Sequence, residues 1–164
     1  MKSMYLYYLS FVLRENEKTL AVYPFVFELT VTYVLENDTV KVEWGVRNPG
    51  EENLYFSIGG HPAFMCPLNA AESWADCAIE FKKVDAPLDS IVIHPIVDGG
   101  NVGDEKKELV LKDGRITPSV ELFAGDALIL EDEQSDEISL INTAGNAYLT
   151  VRFDTPLVGI WAPT

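Results

Sequence analysis

Between Phe27 and Arg47 the chain alternates apolar and polar residues through two consecutive runs, and this period of two constrains its fold more than any other feature. Phe27, Leu29, Val31, Tyr33 and Leu35 share one parity, while Glu28, Thr30 and Thr32 take the other. That is the pattern of a strand buried on one side. Glu36-Asn37-Asp38 then supplies a turn, after which Val40, Val42, Trp44 and Val46 resume the apolar face against Lys41, Glu43 and Arg47. Two such runs across a short polar turn predict an antiparallel hairpin. A second turn at Asn48-Pro49-Gly50 leads to Leu54, Phe56 and Ile58, alternating with Tyr55 and Ser57, and predicts a third consecutive strand that completes a meander.

Further strands are expected at Ala78 to Phe81, Ile91 to Ile93, Leu109 to Leu111, Ala127 to Leu130, Ile138 to Asn142 and Tyr148 to Phe153, all separated by turn residues. No segment keeps apolar residues at i, i+3, i+4 and i+7 over the roughly three turns of an ordinary helix. The predicted class is therefore all-β, an antiparallel β-sandwich, over one domain spanning residues 1–164. Asp98 to Lys107 and Glu131 to Glu137 are polar or acidic and read as surface loops.

Apolar residues make up 48% of the chain and charged residues 23%, which is ordinary for a folded protein. The net charge of -14 repels phosphate backbones and anionic lipid, so nucleic acid and membrane partners are not expected. Two cysteines, Cys66 and Cys77, make neither a disulfide framework nor a metal-ligand pattern and read as free thiols of a reducing cytoplasm. Met1 to Phe11 is apolar and rich in tyrosine, but too short for a membrane span and without a small-residue cleavage site.

His61 is the candidate for chemistry. It follows Gly59 and Gly60 at the end of the third predicted strand and precedes Pro62. Glycines leave room for a ligand or a neighbouring strand, and the proline holds the residue before it extended. An imidazole presented this way can move a proton near neutral pH, or it can be a packed structural residue; local chemistry leaves both open. His94, before Pro95, falls in no motif and reads as structural or surface-exposed, and Trp74 and Cys66 carry no chemistry of their own.

The run from Tyr23-Pro24-Phe25 to Tyr33, the Asn48-Pro49-Gly50 turn, and Tyr55-Phe56-Ser57-Ile58-Gly59-Gly60-His61-Pro62-Ala63-Phe64 together resemble the galactose mutarotase (aldose 1-epimerase) family, in particular its LacX-like branch. Phe123 to Ile129 and Leu157 to Trp161 extend the resemblance over most of the chain. It implies a mutarotase-like supersandwich and interconversion of the α and β anomers of a free hexose or hexose derivative, with no cofactor and no metal. By resemblance His61 is the general acid that protonates the ring oxygen, and a carboxylate takes the proton of the anomeric hydroxyl. Asp126 matches an aspartate that holds sugar hydroxyls, since an ionised carboxylate accepts two hydroxyl donors at once. Phe64 and Trp161 lie in matched segments and could stack on a sugar, although core packing is the expected fate of each.

The family's catalytic glutamate lies in an Ile-Glu-Pro-Trp strand after the Gly-Ile-Trp segment, and an arginine and a second histidine precede its Tyr-Pro-Phe segment. The 164 residues stop at Thr164 before such a glutamate strand, and Met1 to Leu20 leaves no room for the strands that carry the other two, so a domain partial at both ends is expected. Loss of the base from an acid–base pair forfeits about 10²- to 10⁴-fold in rate. Glu131 and Glu133, just beyond the Asp126 strand, are the carboxylates to check as substitutes. Exposed strand edges predict a homo-oligomer. The competing readings are a non-catalytic carbohydrate-binding β-sandwich and a structural remnant.

Overall fold

The computed structural model describes residues 6–69 and 71–163, and the chain divides after His61 into two compact units. The first unit is built on the alternating runs. Strand β1 (Leu6–Arg14) is followed by a single helical turn, α1 (Glu17–Leu20), and then by β2 (Glu28–Glu36) and β3 (Thr39–Arg47). The order in the sheet is β1-β2-β3, and every neighbour is antiparallel and in register over nine residues. Asn37 sits at φ +57° between β2 and β3, a left-handed turn position that asparagine tolerates. Asn16 caps α1: its side chain accepts from the Thr19 amide at 3.2 Å, while the Thr19 hydroxyl accepts from the Asn16 amide at 2.8 Å.

Directly opposed residues of antiparallel strands point to the same face. The rows Leu9–Tyr33–Val42, Phe11–Val31–Trp44 and Leu13–Leu29–Val46 therefore lie on one side of this sheet. The other side carries the sheet's charged residues, beside Tyr8, Val12 and Val34. There Glu28 draws in Arg14 at 2.6 Å and Arg47 at 3.1 Å, and the Ser10 and Thr32 hydroxyls meet at 2.9 Å.

The meander thus differs from the expected one in its third member. The added strand precedes the hairpin, in a segment whose tyrosines and leucines occupy both parities and so hide the period of two. Leu54 to Ile58 forms no ladder: Tyr55, Phe56 and Ile58 are exposed, and the segment is held by the Tyr23 hydroxyl donating to the Tyr55 carbonyl. Alternation is present there, but the segment pairs with no strand, the outer edge of β3 included.

The second unit carries β4 (Ala78–Lys83), β5 (Ala86–Pro87), β6 (Ser90–Ile93), β7 (Ile96–Val97), β8 (Asn101–Val102), β9 (Lys107–Val110), β10 (Arg115–Ile116), β11 (Leu128–Leu130), β12 (Glu137–Ile141), β13 (Ala147–Arg152) and β14 (Val158–Ile160). One sheet runs β10-β4-β12-β13, with β5 on β4. The pairs β6–β9 and β11–β14 are linked where the His94 amide donates to the Ile129 carbonyl at 2.9 Å. Their inward residues share one core: Ile79 and Phe81 of β4 meet Ile91 of β6, Leu128 and Leu130 of β11, and Phe123. Phe81 is 0% exposed. This is the packing of apolar strand faces from which sandwiches are made.

The opposite face of β4 and β12 carries charge. Glu80 and Glu137 are both buried, and Lys82 reaches them at 2.9 Å and 3.4 Å, while Arg115 binds Glu80 at 2.9 Å and Arg152 binds Glu137 at 2.7 Å. No buried side-chain polar atom among the described residues lacks a partner. Helix is confined there to α1 and one 3-10 turn, Trp74–Asp76, and no helix is long and apolar enough to cross a membrane.

Candidate functional site

His61 closes the first unit at the end of the unpaired Leu54 to Gly60 stretch, and it is exposed. Its ring makes no hydrogen bond or ion pair among the described residues. A Cβ placed on Gly59 would meet nothing within 4 Å, so the backbone before the histidine is open to approach. The imidazole is presented from an extended segment rather than from a paired strand, and it is not a packed core residue.

The other three expected residues belong to the second unit. Asp126 is exposed at φ +79° and closes a turn in which its amide donates to the Phe123 carbonyl at 3.1 Å. One carboxylate oxygen accepts from the Ala127 amide at 2.7 Å, which fixes the side chain against its own turn; the second oxygen has no partner among the described residues. Asp126 stands just before β11 and Trp161 just after β14. Leu128 pairs with Ile160, so the aspartate and the tryptophan lie at the same end of this strand pair.

Core packing was expected for Phe64 and Trp161, and the structure corrects this: they are 48% and 56% exposed. Phe64 lies in a stretch without strand structure, and Trp161 falls one residue beyond the last rung of the β11–β14 ladder. The aromatic core is made instead by Phe81 and Phe123, with Trp74 stacked on Phe123 at 6.2 Å between ring centroids. Phe64 and Trp161 are thus free to meet a ligand as far as their burial is concerned.

Glu131 and Glu133 follow β11 at the end opposite Asp126, across a strand of roughly 10 Å. The Glu131 carboxylate lies 3.7 Å from Nε2 of His94, and Glu133 accepts a hydrogen bond at its main-chain carbonyl from Lys83. His94, only 5% exposed, is the histidine that the core encloses. Its Nδ1 stands 3.0 Å from the Gly103 carbonyl, which can only accept, so that nitrogen carries the hydrogen. Placement therefore groups Glu131 with His94, away from the Asp126 end of β11. No sequence motif marked this pair, because strands β6 and β11 bring it together only in the folded chain.

The thiols offer no nucleophile at Cys77. Burial first, and then the neighbouring Cys66, push its thiol up to about 11, so it stays protonated at neutral pH. Burial also raises the Tyr148 phenol, followed by its contact with Cys66, and its hydroxyl donates to the Met65 carbonyl at 2.8 Å. Among the described residues no three His, Cys, Asp or Glu side chains gather as metal ligands do. In the first unit a hollow of about 210 Å³ is bounded by Pro24, Phe25, Val26, Asn48, Gly50 and the Glu51–Glu52 pair. It is smaller than the about 300 Å³ at which ordinary small-molecule pockets begin, and His61 does not line it.

The sequence profile of the family described as aldose 1-epimerase matches residues 7–157. That span contains His61, Phe64 and Asp126, and it ends four residues short of Trp161. The plasmid-encoded protein LacX of Lactococcus lactis subsp. lactis is 28% identical over 158 residues, covering 94% of this chain and 52% of LacX. Among solved structures, a galactose mutarotase related enzyme from Lactobacillus acidophilus superposes with a TM-score of 0.76 at 32% identity, over 94% of this chain and 51% of that one. A galactose mutarotase-like protein from Lactobacillus casei gives a TM-score of 0.74 at 24% identity, over 95% and 53% of the two chains, and supports the fold alone. The chain spans about half the length of the relatives it matches. The expected fold class holds: antiparallel β-structure of the mutarotase-like kind.

Proposed function

The chain belongs to the aldose 1-epimerase family, and from that premise we propose that it acts on the anomers of a free hexose or hexose derivative, with His61 as the proton donor to the ring oxygen. The profile match across His61 and Asp126 carries this reading. Ring opening needs a proton delivered to the ring oxygen while another passes from the anomeric hydroxyl to a carboxylate base; reclosure on the other face of the carbonyl returns both and yields the opposite anomer. An exposed imidazole with no partner among the described residues is available for the first transfer. Asp126, with one carboxylate oxygen open, is assigned to the sugar hydroxyls, and Phe64 and Trp161 to its apolar face. The free thiols Cys66 and Cys77 fit a reducing, cytoplasmic setting.

Anomer exchange of α-glucose and α-galactose followed by NMR tests the reading. The protein should accelerate exchange over buffer, and His61→Ala should remove about 10²- to 10⁴-fold of that acceleration. Equal exchange in protein, variant and buffer rejects catalysis.

One observation favours a second reading, sugar binding without turnover: no carboxylate among the described residues is paired with His61. Titration with a panel of hexoses separates the two. Chemical-shift changes at the His61 ring without faster exchange support binding alone, and no change at that ring rejects both.

A further inference from the structure

The apolar face of the β1–β3 sheet is the largest feature that sugar chemistry leaves unexplained. Leu9, Phe11, Tyr33, Val40, Val42 and Trp44 are each between 43% and 62% exposed, and the cross-strand register puts them all on one side. An aromatic side chain has roughly 150–250 Å² to bury, so half-exposed rings and their aliphatic neighbours offer on the order of 800 Å² of apolar surface. A soluble monomer ordinarily shows a largest patch of about 300–600 Å². On the order of 800 Å² is one partner's share of a standard protein interface.

We propose that this face is the interface of a homodimer, in which two copies pack their β1–β3 sheets face to face about a two-fold axis. Three observations single out a second copy as the occupant. The face contains no charged residue, whereas the opposite face of the same sheet carries Arg14, Glu28, Lys41, Glu43 and Arg47, so the interface must exclude water on one side only. An identical face matches it in width and in strand length, as self-complementary packing of aligned sheets requires. Charge also sits elsewhere. Five basic and eight acidic residues lie up to His61, and seven basic and eighteen acidic follow it, so -3 of the net -14 falls in the first unit and -11 in the second. Copies meeting through the first unit bring together the parts that repel least. The inference is independent of the sugar reading, and it puts the contact on the sheet face rather than on the strand edges expected from sequence.

Light scattering after size exclusion, across low to high micromolar concentrations, tests it on the whole chain. The unsubstituted protein should elute at twice the 18.3 kDa chain mass. Val40→Thr with Val42→Thr keeps β-branched residues of nearly the same shape in β3 and adds only hydroxyls to the face, so the sheet survives. This variant should dissociate at concentrations at least tenfold higher than those at which the unsubstituted dimer does. Val42→Lys should be monomeric with unchanged far-ultraviolet circular dichroism, and Glu43→Lys on the opposite face should remain a dimer. A chain that is monomeric throughout, one that pairs only with a different polypeptide, or a dimer that both face variants leave intact would overturn the proposal.

Discussion

Gly114 shows how much a single backbone position can hold. It sits at φ +76°, its carbonyl accepts from the Phe81 amide at 2.8 Å, and a Cβ there would come within 2.7 Å of the Pro87 Cβ and 3.1 Å of the Phe81 carbonyl. Gly114→Ala is therefore expected to lower stability by about 1–3 kcal/mol, read as a lower urea midpoint. Gly45→Ala is the contrast: its nearest neighbour is the Thr30 Cβ at 3.8 Å and its φ is ordinary, so the same change should be neutral or stabilise by about 0.5–1 kcal/mol. Sequence reveals such residues unevenly. His61 was legible because two glycines and a proline fix its backbone, and the matched segment gives it a role. The exposure of Phe64 and Trp161 was not, because an aromatic side chain does not announce whether another layer will cover it. His94 was unreadable for the opposite reason: its burial depends on the bridge to Ile129, a contact between residues far apart in the chain.

Among the strands, β4 carries the most, with Ile79 and Phe81 in the core and Glu80 and Lys82 on the other face. Burial opposes ionisation of Glu80, but hydrogen bonds from Lys82 and Arg115 outweigh it and hold the carboxyl below its ordinary 4.5. A depressed folded-state value means that the ion cluster stabilises the fold above pH 4.5 and that this contribution is lost as pH falls below it. Glu80→Gln should accordingly unfold at lower urea than the unsubstituted protein at pH 7, and the gap should narrow as the pH is taken below 4.5. A gap that is constant across that range would show that the carboxylate's charge contributes nothing. Of the strands that were legible, β2, β3, β4, β12 and β13 alternate because one face is apolar and the other polar, whereas β6, β9 and β11 stood out as short runs set off by turn residues. Strand β1 was missed because apolar residues stand on both its faces, and Leu54 to Ile58 was over-read because alternation records which faces differ, not whether a hydrogen-bonding neighbour exists.

For the molecule as a whole, the acidic surface and the apolar sheet face pull in opposite directions. Each copy carries a net charge of -14, so bringing two together costs electrostatic free energy that grows as screening weakens. Among the described residues the face carries no charged side chain, so it holds no Lys, Arg, Asp or Glu ion pair that salt could weaken. Screening acts over about 30 Å at 0.01 M salt and about 8 Å at 0.15 M, so raising salt between these limits removes repulsion between the two like-charged copies and leaves the apolar contact untouched. The dimer should therefore tighten several-fold over that range, measured as a fall in its dissociation constant by sedimentation equilibrium. An interface built from strand-edge charges such as Lys41 and Glu43 would respond in the opposite sense, loosening as salt rises. The sign of the salt dependence thus separates a contact through the sheet face from one through its charged edge, without altering a residue.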